Sequence, residues 1–188
     1  MLWWSNYADP RRGGKSASLL DRCGATNTCP KVFEAFGATE FWGLRMSPGL
    51  VGTDAAHDIP LPDNVRRYYM PGTNHGGGRG GFEVAQSAND RCALPQNPNP
   101  MAETTRALTA ALVDWVVRGT PPPPSRYPTL ASGDLVAPTR AATGFPLIPG
   151  LPFGDQFVNA VLDYDLGTTF VYEDLSAWSA VSRRRSGR

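Results

Sequence analysis

The imidazole chemistry open to this chain is limited to two residues, because His57 and His75 are the only histidines among its 188 residues. His75 directly follows a β-prone run, residues 65–70, in the turn Pro71-Gly72-Thr73-Asn74-His75-Gly76. A general base in an α/β fold lies on such a loop, beyond the carboxyl end of a strand. His57 lies in a loop between two aspartates, with no strand to direct it. His75 is therefore the candidate base.

A carboxylate occupies the corresponding place after an earlier strand. Residues 31–36 form a short β-prone run that ends at Gly37, and Glu40 follows it, 35 residues before His75. An acid after one strand and a histidine after the next is the closing half of a Ser–Asp/Glu–His triad in hydrolase order. In such a triad the imidazole takes the serine proton, and the carboxylate fixes the imidazole tautomer and stabilises the imidazolium.

Four other carboxylates compete with Glu40 as the triad acid. Glu34 lies inside the strand and would point to one face of the sheet, whereas the remaining three, Asp54, Asp58 and Asp63, lie in the connecting loop. Loop carboxylates are ordinarily solvated, so Glu40 is favoured.

Short elements must position this pair, since 20 glycines and 18 prolines divide the chain into many loops. We expect 31–36 and 65–70 to be adjacent parallel strands, which would bring Glu40 and His75 into hydrogen-bond range. A helix is predicted over 101–118, from Pro100 to Gly119. We expect one buried helix face, made of Leu108, Leu112, Trp115 and Val116.

At this point the sequence resembles the α/β-hydrolase domain family of large bacterial secreted or periplasmic proteins. The likeness runs from about residue 3 to 178, and its motifs are Cys29–Glu34, Gly37–Gly43, Asn64–Tyr69, Pro71–Gly76 and Pro121–Tyr127. The resemblance implies an α/β chain with a partial α/β-hydrolase fold, namely the C-terminal strands and a helix of a mostly parallel sheet. It implies Glu40 as acid and His75 as base. We expect residues 1–181 to form this domain and the basic tail 182–188 to be disordered.

The nucleophile expected of such a hydrolase is missing. No Gly-x-Ser-x-Gly occurs, and the serines considered, Ser47, Ser87, Ser125 and Ser132, are predicted to lie in loops. In the family order the serine precedes the acid, so it would precede Met1. We therefore predict a fragment of a serine hydrolase for a carboxylic ester or related acyl bond, completed by the N-terminal part of the same domain. The alternative is a truncated gene product without activity.

Composition and spacing speak against other functions. A net charge of +1 disfavours nucleic-acid binding, and no run of 18 apolar residues predicts a membrane span. The histidine spacing supplies no metal ligand set, and no cofactor is expected. The glycine run 76–81 lacks the Gly-Lys-Ser/Thr of a phosphate loop, so we expect it to pass close to a cleft beside His75.

The cysteines and the N-terminus bear on the compartment. Cys23 and Cys29 are spaced so that either a local disulfide or two free thiols would fit. A bridge requires a Cα separation of ~4.4–6.8 Å, and it would leave Cys92 unpaired. The N-terminus has no basic region followed by an apolar one, so no signal peptide is predicted in this chain, although the resemblance implies a periplasmic or secreted parent protein.

Overall fold

The structure is a computed structural model that describes residues 3–82 and 95–151, together with the backbone of two short strands at 162–165 and 182–185. The chain divides into two compact units, residues 1–136 and 137–188. The expected tail at 182–188 and its boundary at 181 stay predictions. No helix among the described residues is long and apolar enough to cross a membrane.

A parallel pair of strands forms the centre of the first unit. Strands β3 (Val32–Gly37) and β4 (Val65–Met70) pair in register from Val32 opposite Val65 to Gly37 opposite Met70. A parallel bridge from Tyr68 to Arg126 extends the pairing beyond β4. The expected adjacent parallel strands are therefore confirmed, with β3 shifted by one residue relative to the prediction.

One face of the β3–β4 pair packs on a cluster of apolar side chains. Phe36 is buried with Leu50 and Val51, which belong to the short helix α2 (Pro48–Val51). Tyr69, the partner of Phe36 across the pair, packs against the same cluster. Apolar contact on this face follows from the alternation of side chains along each strand.

The opposite face contacts helix α3 (Ala102–Arg118) through Trp115. The ring centroid of Trp115 lies 5.9 Å from that of Phe33. Lys31 Nζ donates a hydrogen bond of 2.6 Å to the Trp115 carbonyl. Coverage of both faces is typical of parallel strands. The helix is confirmed, but the predicted burial of Val116 is wrong, because 60% of this residue is exposed. The helix makes its described contact with β3 around Trp115.

The segment before β3 has its own small core. Strands β1 (Tyr7–Ala8) and β2 (Ser16–Ala17) pair antiparallel around a 3₁₀ turn, Pro10–Arg12. Trp3 and Tyr7 are buried together with Ile59. Helix α1 (Asp21–Thr26) follows.

A disulfide closes the end of helix α1. Cys23 and Cys29 are bridged, with their Cα atoms 4.6 Å apart, so the geometric prediction is confirmed. Cys92 lies outside the described residues.

The second unit contains helix α4 (Arg140–Thr143), whose first turn is capped by Thr139 Oγ1 accepting from the Ala142 amide at 3.2 Å. Strands β5 (Leu162–Asp165) and β6 (Ser182–Arg185) pair antiparallel.

Candidate active site

Glu40 is held at the end of β3 by a tight turn. After Gly37 the backbone enters a π-helical turn, Thr39–Gly43, which directs the Glu40 carboxylate back toward the strand. Its Oε2 accepts a hydrogen bond of 2.8 Å from the Gly37 amide. The side chain of Glu40 is 17% exposed. One carboxylate oxygen is thus fixed by the backbone, which leaves Oε1 for another donor.

His75 follows the end of β4. The turn after Met70 is anchored by Thr73, which is buried and whose hydroxyl donates to the Met70 carbonyl at 2.8 Å. The imidazole two residues later is 82% exposed. The position of the ring therefore depends on the loop backbone and not on side chains packed around it.

The two loops meet because β3 and β4 are parallel and end side by side. The Thr39 amide donates to the Thr73 carbonyl at 3.4 Å, which ties the two turns together. Gly37 permits this approach: a Cβ added there would lie 2.3 Å from Thr73 Oγ1. From the sequence, Gly37 was identified only as the end of a strand, and Thr73 was not identified as a residue that supports the site. A glycine at the end of one strand, followed by a threonine just after the next, was the only sequence feature that could have indicated this contact.

His75 Nδ1 is in hydrogen-bond contact with Glu40 Oε1. This hydrogen bond lowers the pKa of Glu40 below its ordinary value of 4.5, partly opposed by burial and assisted by the Gly37 amide. Glu40 is therefore a carboxylate at neutral pH and can only accept, so the proton in this contact belongs to Nδ1. No described residue bonds to the other ring nitrogen, Nε2. The expected contact between Glu40 and His75 is present, and their catalytic roles stay a prediction.

The competing carboxylate in the strand has a structural partner. Glu34 Oε2 accepts from Arg67 Nε at 2.6 Å and from Trp4 Nε1 at 2.9 Å. Arg67 is only 2% exposed, so Glu34 neutralises a buried charge at the register position opposite it. The Glu34 carboxylate therefore bonds to Arg67 and Trp4 within the strand pair and not to a histidine at the strand ends.

Two of the loop aspartates also have hydrogen-bond partners that hold the fold together. Asp58 accepts from the amides of Leu130 and Ala131 at 2.8 and 2.9 Å, and Asp54 accepts from Tyr7 Oη at 3.1 Å. The pKa of Asp54 is lowered chiefly by the hydrogen bond from the Ala56 amide. Asp63 contributes its carbonyl, which accepts from Arg66. None of these carboxylates bonds to an imidazole in the part of the chain that the structure describes.

Among the described residues, the imidazole that bonds to Glu40 is that of His75 and not that of His57. The His57 ring centroid lies 6.4 Å from that of Tyr7. Among residues 3–82 and 95–151, no three His, Cys, Asp or Glu side chains converge as a metal site.

The glycine run after His75 packs against the chain that leads into α3. A Cβ on Gly77 would lie 2.5 Å from Met101 Cγ, and one on Gly78 would lie 2.3 Å from the carbonyl carbon of Pro98. These two glycines thus permit close backbone packing against residues 98–101. We expected the run to pass along a cleft beside His75; its described close contacts are with this segment instead.

Three of the four serines considered as nucleophiles are described, and their contacts are with other parts of the chain. Ser47 precedes helix α2, and Ser125 Oγ accepts from the Arg67 amide at 3.0 Å. Ser132 bonds to Asp134 within a turn at 2.6 Å, while Ser87 lies outside the described residues. None of Ser47, Ser125 and Ser132 hydrogen-bonds to His75.

A groove of about 360 Å³ opens at the amino end of β4, where Val65, Arg66 and Tyr127 contribute to its walls. Substrates of α/β folds bind at the carboxyl ends of the strands, where the Glu40–His75 pair lies. We therefore do not assign the substrate to this groove.

Comparison with known proteins gives the family. Residues 4–150 match the family described as Alpha/beta hydrolase domain, and this range includes both Glu40 and His75. The chain belongs to the alpha/beta hydrolase domain family. No curated protein and no solved structure matches it. A small-molecule substrate is consistent with a hydrolase domain.

Proposed function

We propose that this alpha/beta hydrolase domain chain supplies the acid and the base of a serine hydrolase that cleaves a carboxylic ester or related acyl bond. Glu40 is the acid and His75 is the base. The serine comes from a segment outside these 188 residues, the N-terminal part of the same domain. The contact between Glu40 Oε1 and His75 Nδ1 carries the proposal, because it leaves Nε2 as a basic nitrogen.

The donor and the acceptor of each proton in the proposed reaction can be named. His75 Nε2 takes the proton of the serine hydroxyl as the serine oxygen attacks the acyl carbon. The imidazolium then returns this proton to the departing alcohol oxygen as the ester C–O bond breaks. A water molecule then attacks the acyl-enzyme with the same two proton transfers through His75 Nε2. This step releases the carboxylic acid and restores the serine. Glu40 stays ionised throughout and stabilises the imidazolium.

The exposure of the imidazole supports this division of the triad. An 82% exposed ring on a loop tied to a carboxylate can be approached by a serine from a neighbouring segment. A histidine that served only the packing of this unit would be buried among its neighbours.

A second candidate is a catalytically inactive product. It is favoured by one observation, the absence of Gly-x-Ser-x-Gly from the sequence. Under this alternative the Glu40–His75 contact has no catalytic consequence.

Reconstitution separates the two candidates. The chain is co-expressed with the polypeptide encoded immediately upstream, and hydrolysis of p-nitrophenyl acetate is measured. The proposal expects activity that falls by about 10²–10⁴-fold in His75→Gln. His57→Gln is the matched control and is expected to retain activity. Activity unaffected by His75→Gln would contradict the assigned base, and the absence of activity in every combination would favour the inactive product.

A fluorophosphonate probe tests the missing nucleophile in the isolated chain. We expect no labelling, because the sequence contains no Gly-x-Ser-x-Gly. Labelling of any serine among these residues would contradict the proposal that the nucleophile lies elsewhere.

A further inference from the structure

A short segment runs beside the histidine loop and leads into helix α3. We call residues 97–101 the strap. Four hydrogen bonds join it to the loop, and two of them involve Asn99. The close packing of Gly77 and Gly78 against the same segment brings the two backbones together.

Asn99 bonds to the histidine loop on both sides of His75. Its side-chain Nδ2 donates to the Pro71 carbonyl at 3.0 Å, four residues before His75. Its own carbonyl accepts from the Gly78 amide at 2.7 Å, three residues after His75. One strap residue therefore fixes the two ends of the turn that carries the imidazole.

Asn97 supports this arrangement from within the strap. Its Oδ1 accepts from the Asn99 amide at 2.9 Å, and its carbonyl accepts from Asn74 Nδ2 at 3.0 Å. The residue that directly precedes His75 is thus also held.

The exposure of His75 makes such a support necessary. Few side-chain contacts constrain a ring that is 82% exposed, so its distance from Glu40 is set by the backbone on which it stands. On the side of β3, Gly37 and Thr73 fix the beginning of the loop; the remainder lies against the strap.

We propose that Asn99 is a positioning residue, which holds the His75 loop so that the imidazole meets the Glu40 carboxylate. The inference rests on the proposed function for its catalytic consequence, but the contact that it controls can be measured without a nucleophile.

The test uses the whole chain and the titration of the Glu40 carboxyl carbon, followed by ¹³C NMR. His75→Ala removes the hydrogen bond that lowers the pKa of Glu40, and the rise in that pKa in this variant defines the full effect. Asn99→Ala removes the hydrogen bond to the Pro71 carbonyl, and we expect it to raise the pKa of Glu40 by part of the full effect. Circular dichroism should show that this variant keeps its fold. Gln96→Ala is the matched control: it lies three residues earlier, bonds to no described residue, and is expected to leave the titration unchanged.

A second variant guards against loss of the fold. Asn99→Leu keeps about the size of the side chain and the backbone contact to Gly78, lacks the amide donor and adds no charge, so the same partial rise in the pKa of Glu40 is expected. An unchanged Glu40 titration in a folded Asn99 variant would overturn the inference, as would an equal rise in Gln96→Ala. Unfolding of both Asn99 variants would also overturn it, because Asn99 would then determine the fold and not the loop position. A partial rise without esterase activity in the reconstituted protein would support the strap and contradict the hydrolase proposal.

Discussion

Replacing Glu40 with glutamine preserves the size of the side chain and reverses what it offers to the imidazole. The amide oxygen can accept from the Gly37 amide, as Oε2 does now at 2.8 Å. The NH₂ group then faces His75 Nδ1, which must become an acceptor. The ring proton moves to Nε2, and the nitrogen proposed to take the serine proton has lost its lone pair. We expect kcat of the reconstituted enzyme to fall by about 10²–10⁴-fold.

The same change is expected to have little effect on stability. The His75 ring is 82% exposed, so water competes for the contact, and exposed pairs contribute about 0.2–1 kcal/mol. Urea unfolding followed by circular dichroism measures this difference. Glu103→Gln is the control, because it removes another exposed pair, with Arg106, on helix α3. Its effect on stability should be similar, and its effect on kcat should be absent.

The stability difference for Glu40→Gln should depend on pH in one direction. The pKa of Glu40 is lowered in the folded chain, so the stabilisation is present above the ordinary value of 4.5 and is lost as the pH falls through the lowered pKa.

A loss of stability above about 3 kcal/mol in Glu40→Gln would refute the reasoning from exposure, since that is the range of buried pairs. An unchanged kcat would refute the assignment of the acid.

Three further changes test contacts on which the stability of the fold depends. Gly37→Ala places a methyl group 2.3 Å from a buried threonine hydroxyl, and we expect about 1–3 kcal/mol of destabilisation by urea unfolding. Cys23→Ser with Cys29→Ser opens a short loop, for which chain entropy predicts a loss of about 2 kcal/mol in the same measurement. Glu34→Ala leaves the Arg67 guanidinium buried without its carboxylate, and we expect a loss of about 3–5 kcal/mol.

Each of these changes has its own control. Gly43→Ala adds a Cβ that lies 3.8 Å from the Thr39 methyl, so it should be tolerated; equal destabilisation by both alanines would contradict the close-approach argument. Dithiothreitol should destabilise the unmodified chain but not the double serine variant. If Glu34→Ala cost less than about 1 kcal/mol, Arg67 would have to be solvated and not buried.

The sequence was sufficient to predict the β3–β4 pair and the meeting of its two loops. Both strands are short β-prone runs that end at turn residues, and parallel neighbours bring their carboxyl ends to one edge. The helix over 102–118 was equally predictable, because Pro100 and Gly119 mark its limits.

Other features were not predictable, either because no sequence pattern marks them or because they depend on contacts between distant residues. The π-helical turn that directs Glu40 back to Gly37 has no signature in the sequence. Asn99 and the Pro71 carbonyl to which it donates are 28 positions apart in the sequence, so local pattern does not predict the strap. The helical periodicity predicts which face of α3 is apolar, but not that Val116 stays exposed beside a buried Trp115.

The tautomer of His75 tests the central claim most directly. ¹⁵N NMR of the isolated chain at a pH of about 9, where an ordinary imidazole is neutral, distinguishes a protonated ring nitrogen from an unprotonated one. Our account predicts a proton on Nδ1 and none on Nε2 of His75, with the opposite arrangement in Glu40→Gln. The His57 signals should be the same in both proteins. A His75 ring with its proton on Nε2 in the unmodified chain would contradict the assignment of Glu40 and His75 as acid and base.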